Sequence, residues 1–505
     1  MHRYIQKIQS YIGIKRYFLS FFLGCLTGLA LSPTYLIPLA VIGLTSHLWQ
    51  IDSCTNKKQS FWLGWFFGLG FFVTGLYWIS FALLIDIRTF GWMIPFAMFG
   101  IPAVLAFYSA ICSLITFKVS CKGYKKVILF AAIWTTLEIL RGFLFTGFPW
   151  NLIGYIWTFS DSMLQITSIM GIFGLSLLTV FVFAMPYSIN WEKKVKNTKP
   201  TILALLLLFA IFIFGQYRLS NGNNSFHPDK IRIVQGNIAQ NNKWDARNSQ
   251  KILNKYISQS VSAGFEDVKY ILWPEAAVPF YIEDDSPLIT ILGSAVPQDG
   301  YLLTGTIHGL ENGSVVYNAI HTINQYGEVA AIYHKSHLVP FGEYVPLRSI
   351  LPIDKITPGQ VDFSKGDGIT TLDIKGMPSF SPLICYEAIF PNKVIDKNTP
   401  PQFMINVTND AWYGNSSGPY QHFNMVKVRA VEHGIPLIRA ANTGISGVID
   451  AYGRIIARTS LGEDAVLDSK IPQSLTSPTL YTKFGNLSVI AIMIIMCGIC
   501  YKKKD

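Results

Sequence analysis

Long apolar runs alternate with short polar stretches over the first 217 residues, and one further apolar run lies near the end of the chain. A helix needs about 20 mostly apolar residues to cross the hydrocarbon core of a bilayer. The pattern predicts eight transmembrane helices, near 15–31, 34–51, 61–84, 91–117, 125–141, 163–190, 200–217 and 485–501. The fifth contains Glu138 and Arg141, which we expect to pair near the membrane interface. A functional role for them stays open, because charges inside a membrane are costly.

Residues 218–484 follow a different pattern, which begins with a polar linker at 219–229. Short β-branched and apolar runs are separated by Gly, Pro, Asn and Asp, as in strands joined by turns. Nine strands are predicted, at 230–235, 269–273, 301–306, 316–323, 328–333, 380–385, 403–407, 436–440 and 446–450. Two helices are predicted, at 246–263 and 419–434. This mixture of elements indicates an α/β or α+β domain.

The composition agrees with a membrane protein, since only 14% of the residues are charged and a soluble domain has roughly 25%. The formal net charge of +11 would suggest a nucleic-acid partner, but residues 1–217 alone carry a net +11, whereas 218–484 carry −2 and 485–505 carry +2. The basic excess therefore belongs to the membrane part, and no nucleic acid is expected as a partner. We predict a seven-helix membrane domain at 1–217, an α/β domain at 218–484, and an eighth transmembrane helix with a basic tail at 485–505.

The basic residues between the predicted spans set the orientation. Seventeen lie on one side: Arg3, Lys7, Lys15, Arg16, Lys57, Lys58, Lys118, Lys122, Lys125, Lys126, Lys193, Lys194, Lys196, Lys199, Lys502, Lys503 and Lys504. The other side has only Arg88 and Arg141. Because basic loops stay in the cytoplasm, both termini are expected there, and the domain at 218–484 is expected outside the cytoplasm.

Cys385 is the only one of seven cysteines that lies in the α/β domain. An unpaired thiol is a liability in an oxidising compartment, so its presence suggests a reactive nucleophile. The alternative is a buried structural cysteine, because a free cysteine often packs as a small hydrophobic residue. Cys385 ends an apolar run that is predicted as a strand, and Tyr386 and Glu387 follow it.

A nucleophilic thiol needs a base and a positive group for the developing oxyanion. Glu275 and Lys335 each follow a predicted strand and offer these functions. His334 or His337 could instead form a Cys–His pair, and spacing leaves this open. The α/β domain contains no Walker loop, dinucleotide fingerprint, HExxH or CxxC, so neither a cofactor nor a metal is expected.

Three motifs in order resemble the Glu–Lys–Cys triad of the nitrilase superfamily: Glu275 in Trp-Pro-Glu-Ala-Ala, Lys335 in Tyr-His-Lys-Ser-His, and Cys385 in Ile-Cys-Tyr-Glu. Longer strings resemble one membrane-bound branch, the apolipoprotein N-acyltransferases of bacterial inner membranes. These strings lie at 147–150, 235–238, 243–245, 409–414, 421–422, 429–432 and 439–447. The resemblance covers nearly the whole chain. Thr408 and Tyr413 depart from it, where serine and phenylalanine are usual, and neither removes a triad group.

The resemblance implies a nitrilase-like αββα sandwich in the periplasm, attached to a multi-pass domain of the inner membrane. It implies that a phospholipid donates an acyl chain to Cys385 as a thioester. The chain then passes to the α-amino group of the diacylglyceryl-cysteine of an apolipoprotein, and the enzyme is expected to be a monomer.

In this scheme Glu275 is the general base and acid, Lys335 stabilises the oxyanion, and Cys385 is the nucleophile. Glu343, Tyr386, Glu387, Trp244 and Trp412 support the site. A purely structural role stays open for the two supporting glutamates, and ordinary packing stays open for the two tryptophans.

Two other functions share part of this pattern. A membrane-tethered amidase or nitrile hydrolase would have the same triad but would transfer the acyl group to water. A transporter or assembly scaffold with an inactive outer domain would need polar or broken helices along a path, for which Glu138 alone is poor support.

Overall fold

The computed structural model describes residues 1–119, 121–191, 197–222, 225–283, 286–310, 313–350, 355–357, 359 and 361–501. The chain divides into two compact units. The helical unit contains Met1–Ser80, Phe90–Gly222 and Thr479–Asp505, and the sandwich unit contains Asn223–Pro478 together with Phe81–Thr89. Lys193, Lys194, Lys196 and Lys502 to Lys504, which contribute to the predicted orientation, lie outside the described residues.

The main helices of the helical unit overlap all eight predicted segments. They are Ile14–Gly28, Ile37–Asp52, Lys57–Leu76, Ile101–Lys118, Tyr124–Arg141, Thr167–Ala184, Lys199–Ser220 and Leu487–Tyr501, preceded by His2–Ser10. Within the described residues, four helical stretches are long and apolar enough to cross a membrane: Lys57–Leu84, Ile87–Lys118, Thr167–Ser188 and Lys199–Ser220. The apolar helix Leu487–Gly498 is shorter.

Glycines allow two of these helices to touch along their backbones. A Cβ atom added at Gly24 would lie 2.0 Å from the carbonyl oxygen of Phe67, and one added at Gly70 would lie 2.0 Å from that of Phe21. Helices that pack within a membrane use small residues in this way, because no hydrophobic effect drives their association there.

Glu138 and Arg141 are both buried. Their opposite charges interact with each other, and both side chains also form hydrogen bonds with backbone groups. Glu138 Oε1 accepts a hydrogen bond from the backbone N–H of Ile153 at 2.9 Å. Arg141 Nη1 donates to the carbonyl oxygens of Phe148 and Trp150 at 2.7 and 2.6 Å. The two charges therefore stabilise the loop at 147–153, and their expected position near the membrane interface stays a prediction.

The sandwich unit contains twelve strands in its described part. They are β1 (Phe226–Gln235), β2 (Val268–Leu272), β3 (Tyr281–Ile282), β4 (Tyr301–Leu310), β5 (Val315–Asn324), β6 (Val329–His334), β7 (Phe380–Ile384), β8 (Phe403–Thr408), β9 (Leu437–Ala441), β10 (Gly447–Ile449), β11 (Ile455–Arg458) and β12 (Ala465–Pro472). One sheet has the order β12-β1-β2-β4-β5-β6, with β3 paired to β4, and the other has the order β11-β10-β9-β8-β7. β1, β2 and β4 run parallel, as do β7, β8 and β9.

Alternate residues of the strands face two different layers. Ile233 and Ile405 belong to the core between the sheets, whereas the neighbouring Val234 and Met404 face helices on the outer surfaces. The helices Ala246–Ser260 and Pro287–Gly293 cover one sheet, and the helix Ser417–His433 covers the other. The predicted αββα sandwich is confirmed.

All nine predicted strands and both predicted helices of the sandwich unit are present. The prediction missed β3, β11, β12 and the helices Gln240–Lys243 and Pro287–Gly293. β12 has Asp468, Ser469 and Lys470 at its centre, a polar run without the apolar alternation of a strand. It forms because antiparallel pairing with β1 satisfies its backbone groups.

Candidate active site

Glu275 lies in a tight turn that follows β2. The next residue, Ala276, has a φ of +46°, a conformation that L-residues rarely adopt. A Cβ atom at Gly305 would lie 2.5 Å from the Cα atom of Glu275. Only glycine at position 305 therefore leaves room for this turn.

The Glu275 carboxylate is held at both of its oxygens. Oε1 accepts a hydrogen bond from Asn318 Nδ2 at 2.8 Å, and Oε2 accepts one from the backbone N–H of Asn409 at 2.8 Å. The residue is 8% exposed. Its orientation is therefore set by β5 and by the residue that follows β8.

Lys335 directly follows β6 and is 1% exposed. Its Nζ donates to Glu343 Oε1 at 2.9 Å and lies 3.6 Å from Glu275 Oε1. Burial by itself would lower the pKa of Lys335, but the carboxylates of Glu343 and Glu275 outweigh burial and raise it. The side chain is therefore a fixed positive charge.

Glu343 connects the lysine to its surroundings. Its Oε1 also accepts from Asn318 Nδ2 at 2.8 Å, and its Oε2 accepts from the backbone N–H of Val339 at 2.8 Å. Glu343 therefore combines the catalytic-support role and the structural role considered from the sequence. Its carboxylate orients Lys335, and its contacts also order a loop.

Cys385 lies immediately after β7, with a φ of +50°, and begins a 3₁₀ turn that ends at Ile389. Burial and the Glu275 carboxylate raise the pKa of the Cys385 thiol to about 12, against the opposing charge of Lys335. The three side chains are thus close enough to act on one another, and the resting thiol carries its proton.

A buried polar network lies next to the backbone of Cys385. His422 Nε2 lies 3.2 Å from the carbonyl oxygen of Cys385, and His422 Nδ1 lies 2.9 Å from Asp410 Oδ1. Arg439 Nη2 donates to Asp410 Oδ2 at 2.6 Å. Burial would raise the pKa of Asp410, but Arg439 and His422 lower it to about 2. This network supports the strained backbone of Cys385.

Glu387 joins the turn of Cys385 to the loop after Lys335. Its Oε1 accepts from the Tyr333 hydroxyl, from the backbone N–H groups of Ser336 and His337, and from the Ser336 hydroxyl, at 2.7 to 3.1 Å. Its Oε2 accepts from the backbone N–H of Ile384 at 2.8 Å. Burial raises the pKa of Glu387.

We expect Glu387→Gln to lower both stability and the rate of thiol acylation. Every neighbour of this carboxylate is a donor, so the amide NH₂ group must face at least one other donor. A buried donor without an acceptor costs about 1–3 kcal/mol. Thermal unfolding of the purified protein and single-turnover acylation measure the two effects. Glu266→Gln, at an exposed position, is the matched control, and equal behaviour of the two variants would contradict this account.

The remaining candidates have different surroundings. Tyr386 is buried, with its ring 5.0 Å from that of Phe390. Trp244 packs on a small apolar cluster that contains Ala276, and Trp412 is half-buried in the turn Asp410–Tyr413.

The two histidines proposed as alternative partners of Cys385 have other neighbours. His334 Nε2 lies 2.8 Å from His308 Nδ1, and the ring of His337 packs 4.0 Å from that of Phe390.

The sequence interpretation missed the functional contacts of Asn318, Asn409, His422 and Lys243. Lys243, Asn409 and His422 lie in strings that carry the family resemblance, so a signal for them existed. Asn318, in contrast, lies in an ordinary strand run. Among the described residues, no group of three or more His, Cys, Asp or Glu side chains could hold a metal ion.

Comparison with known proteins agrees with this architecture. The family model described as carbon-nitrogen hydrolase matches residues 230–481, and the model described as apolipoprotein N-acyltransferase N-terminal domain matches residues 23–185. A carbon-nitrogen hydrolase superfamily protein from Xanthomonas campestris aligns with 55% of this chain and 98% of its own, at 16% identity and a TM-score of 0.37. The two family models define the class of protein, an enzyme with a carbon-nitrogen hydrolase sandwich and an apolar helical unit.

Relatives similar over almost their whole length make the assignment narrower. The apolipoprotein N-acyltransferase of Rickettsia prowazekii is 38% identical, covering 95% of this chain and 96% of its own. That of Rhodopseudomonas palustris is 36% identical, covering 97% and 96%. The chain belongs to the apolipoprotein N-acyltransferase family, and the resemblance seen in the sequence is confirmed.

Proposed function

We propose that this protein transfers an acyl chain from a phospholipid to the α-amino group of the N-terminal diacylglyceryl-cysteine of apolipoproteins, the last step of lipoprotein maturation. The observation that carries this proposal is the convergence of Glu275, Lys335 and Cys385 in a buried site of the sandwich unit. The apolar helices supply a membrane attachment that suits lipid substrates.

The first half-reaction cuts an oxygen ester. Because the pKa of Cys385 is about 12, its thiol must lose the proton as it attacks, and Glu275 accepts that proton. The sulfur bonds to the ester carbonyl carbon, and Lys335 stabilises the oxyanion together with a backbone N–H near Tyr386. The carbon–oxygen bond then breaks, and Glu275 returns the proton to the leaving lysophospholipid oxygen.

The second half-reaction forms an amide. The incoming amine attacks the thioester carbonyl carbon, Glu275 accepts a proton from the nitrogen, and the carbon–sulfur bond breaks. That proton returns to Cys385, so both groups are restored and the kinetics are ping-pong. The burial of the triad keeps water from the thioester between the two steps.

The supporting residues act on the triad or beside it. Glu343 and Glu387 orient Lys335 and the Cys385 turn through the bonds given above. Trp244, Tyr386 and Trp412 contribute aromatic surface near the reacting groups, where an acyl chain would pack.

We also propose the location and division of the chain that its charges favour. The seven-helix domain at 1–217 and the eighth helix with its basic tail at 485–505 lie in the bacterial inner membrane. The catalytic domain at 218–484 faces the periplasm, and both termini lie in the cytoplasm.

Mass spectrometry of the intact purified protein tests the transfer. After incubation with phospholipid alone, one acyl group should be added, labile to hydroxylamine and located on the peptide that contains Cys385. A diacylated lipopeptide should then remove it and appear as the N-acyl product. Release of free fatty acid, or cleavage of small amides, without a transferable adduct would support the tethered hydrolase instead. No reaction with any lipid would favour the scaffold.

A further inference from the structure

A second lysine lies beside the triad. Lys243 ends the short helix Gln240–Lys243 and is only 2% exposed. Its Nζ donates to the backbone carbonyl oxygen of Glu275 at 2.9 Å. This is the only hydrogen bond of the Lys243 side chain within the part of the chain that the structure describes.

The burial of this ammonium group is costly for stability alone. An ammonium group has three N–H donors, and here one of them has a described protein acceptor. An apolar side chain of the same length would avoid the desolvation cost, so a buried charge with so few partners points to a functional demand.

The groups around Lys243 indicate what function its buried charge could have. Its bond constrains the turn of Glu275, where Ala276 has a positive φ. Glu275 and Cys385 are also the two groups whose negative charges act on the Lys243 ammonium. A thiolate at position 385 would therefore be stabilised from the side of Lys243 as well as by Lys335.

We propose that Lys243 is a positioning residue of the active site, which holds the Glu275 turn through its carbonyl group and supports the Cys385 thiolate by its positive charge. The contribution of Lys243 to catalysis rests on the proposed acyl transfer, whereas its effect on the ionisation of the Cys385 thiol does not. Acyl-enzyme formation needs both an aligned base and an accessible thiolate, so Lys243 acts on the first half-reaction.

The charge of Lys243 itself depends on pH. Burial lowers the pKa of Lys243 to about 8, against the opposing effect of Glu275 and Cys385. Above this pH, Lys243 is a neutral amine and Cys385 is a neutral thiol in the resting protein. Transfer of the Cys385 proton to Lys243 then gives a thiolate and an ammonium group, and the total number of bound protons stays the same. The fraction of the protein in this ionised form therefore stops rising with pH.

Three other ionisable groups that interact with Cys385, namely Asp410, Lys335 and Tyr413, do not titrate in this range. The pKa of Asp410 is about 2, and those of Lys335 and Tyr413 are raised above their ordinary values. A change of slope near pH 8 therefore reports Lys243.

Alkylation of Cys385 by iodoacetamide, followed by peptide mass spectrometry between pH 6.5 and 9.5, provides the test in the full-length protein. For the wild type we expect a rate that rises up to about pH 8 and then levels off. Lys243→Met should lower the rate at pH 7 by about tenfold or more and should remove the plateau. Lys243→Arg keeps the charge, and its alkylation rate should rise tenfold per pH unit across the range. Lys427→Met, at another buried lysine of the same unit, should retain the wild-type profile.

Acylation by phospholipid completes the test. Lys243→Met should slow it by about tenfold or more, with an unchanged unfolding temperature. Identical alkylation profiles for wild type and Lys243→Met, with acylation within about threefold, would overturn the proposal. Because alkylation uses no lipid, a wild type that shows the plateau but gains no acyl group would refute the proposed function and leave the role of Lys243 intact.

Discussion

Cys385→Ser should leave the protein folded but unable to form the acyl-enzyme. The substitution changes one atom at the start of the 3₁₀ turn, so the bonds of Glu387 and His422 to this region stay available. A hydroxyl is far less acidic than a thiol, and in this site burial and the Glu275 charge already oppose ionisation. We expect the acylation rate to fall by about a thousandfold or more, as in other enzymes that lose their nucleophile.

Intact-mass spectrometry with phospholipid and no acceptor measures this loss. Cys497→Ser replaces an exposed cysteine of the helical unit and should gain the acyl group as the wild type does. A hydroxylamine-labile adduct that forms at normal rate in Cys385→Ser would place the nucleophile elsewhere.

Glu275→Gln should produce the second largest loss, because it removes the proton acceptor while keeping the shape of the side chain. The amide cannot accept the thiol proton, and the thiol ionises too little to attack without a base. General base catalysis contributes about 10² to 10⁴ in rate, and we expect a loss of that size in both half-reactions. The effect on folding should be smaller, since the amide oxygen can still accept one of the hydrogen bonds from Asn318 and Asn409.

Rapid-quench acylation of Glu275→Gln, followed by the addition of lipopeptide, separates the two half-reactions. Glu283→Gln, an exposed glutamate of the same unit, is the matched control. A variant that acylates at the wild-type rate but fails to discharge would restrict Glu275 to the second step. Full activity would exclude it as the base.

Much of the fold could be predicted from the pattern along the chain. Apolar runs marked the helices, and β-branched runs between turns marked nine strands of the sandwich, because both elements repeat at a period that a sequence displays. β12 escaped prediction because its polar centre is ordered by pairing with β1. The hydrogen bonds of Glu138 and Arg141 to the loop at 147–153 were not predicted, because this loop lies outside their own helix.

Part of the candidate site could also be predicted from the sequence. Glu275, Lys335 and Cys385 could be proposed as the triad because each follows a strand, and because their motifs occur in a known order. The family assignment also followed from the sequence, since the motifs are local and the relatives align over nearly the whole chain.

The tertiary structure alone decided how these groups are held. Asn318 bridges Glu275 and Glu343, Asn409 orients Glu275 across 134 positions of sequence, and Lys243 reaches the Glu275 carbonyl group from a helix that was not predicted. No periodicity relates such positions, because strands distant in the chain become neighbours only when the sheets form. The sequence by itself thus determined the elements and the class of enzyme, and it supplied the proposal for the reacting groups. The packing of the strand ends determined which polar neighbours set their charges and orientations.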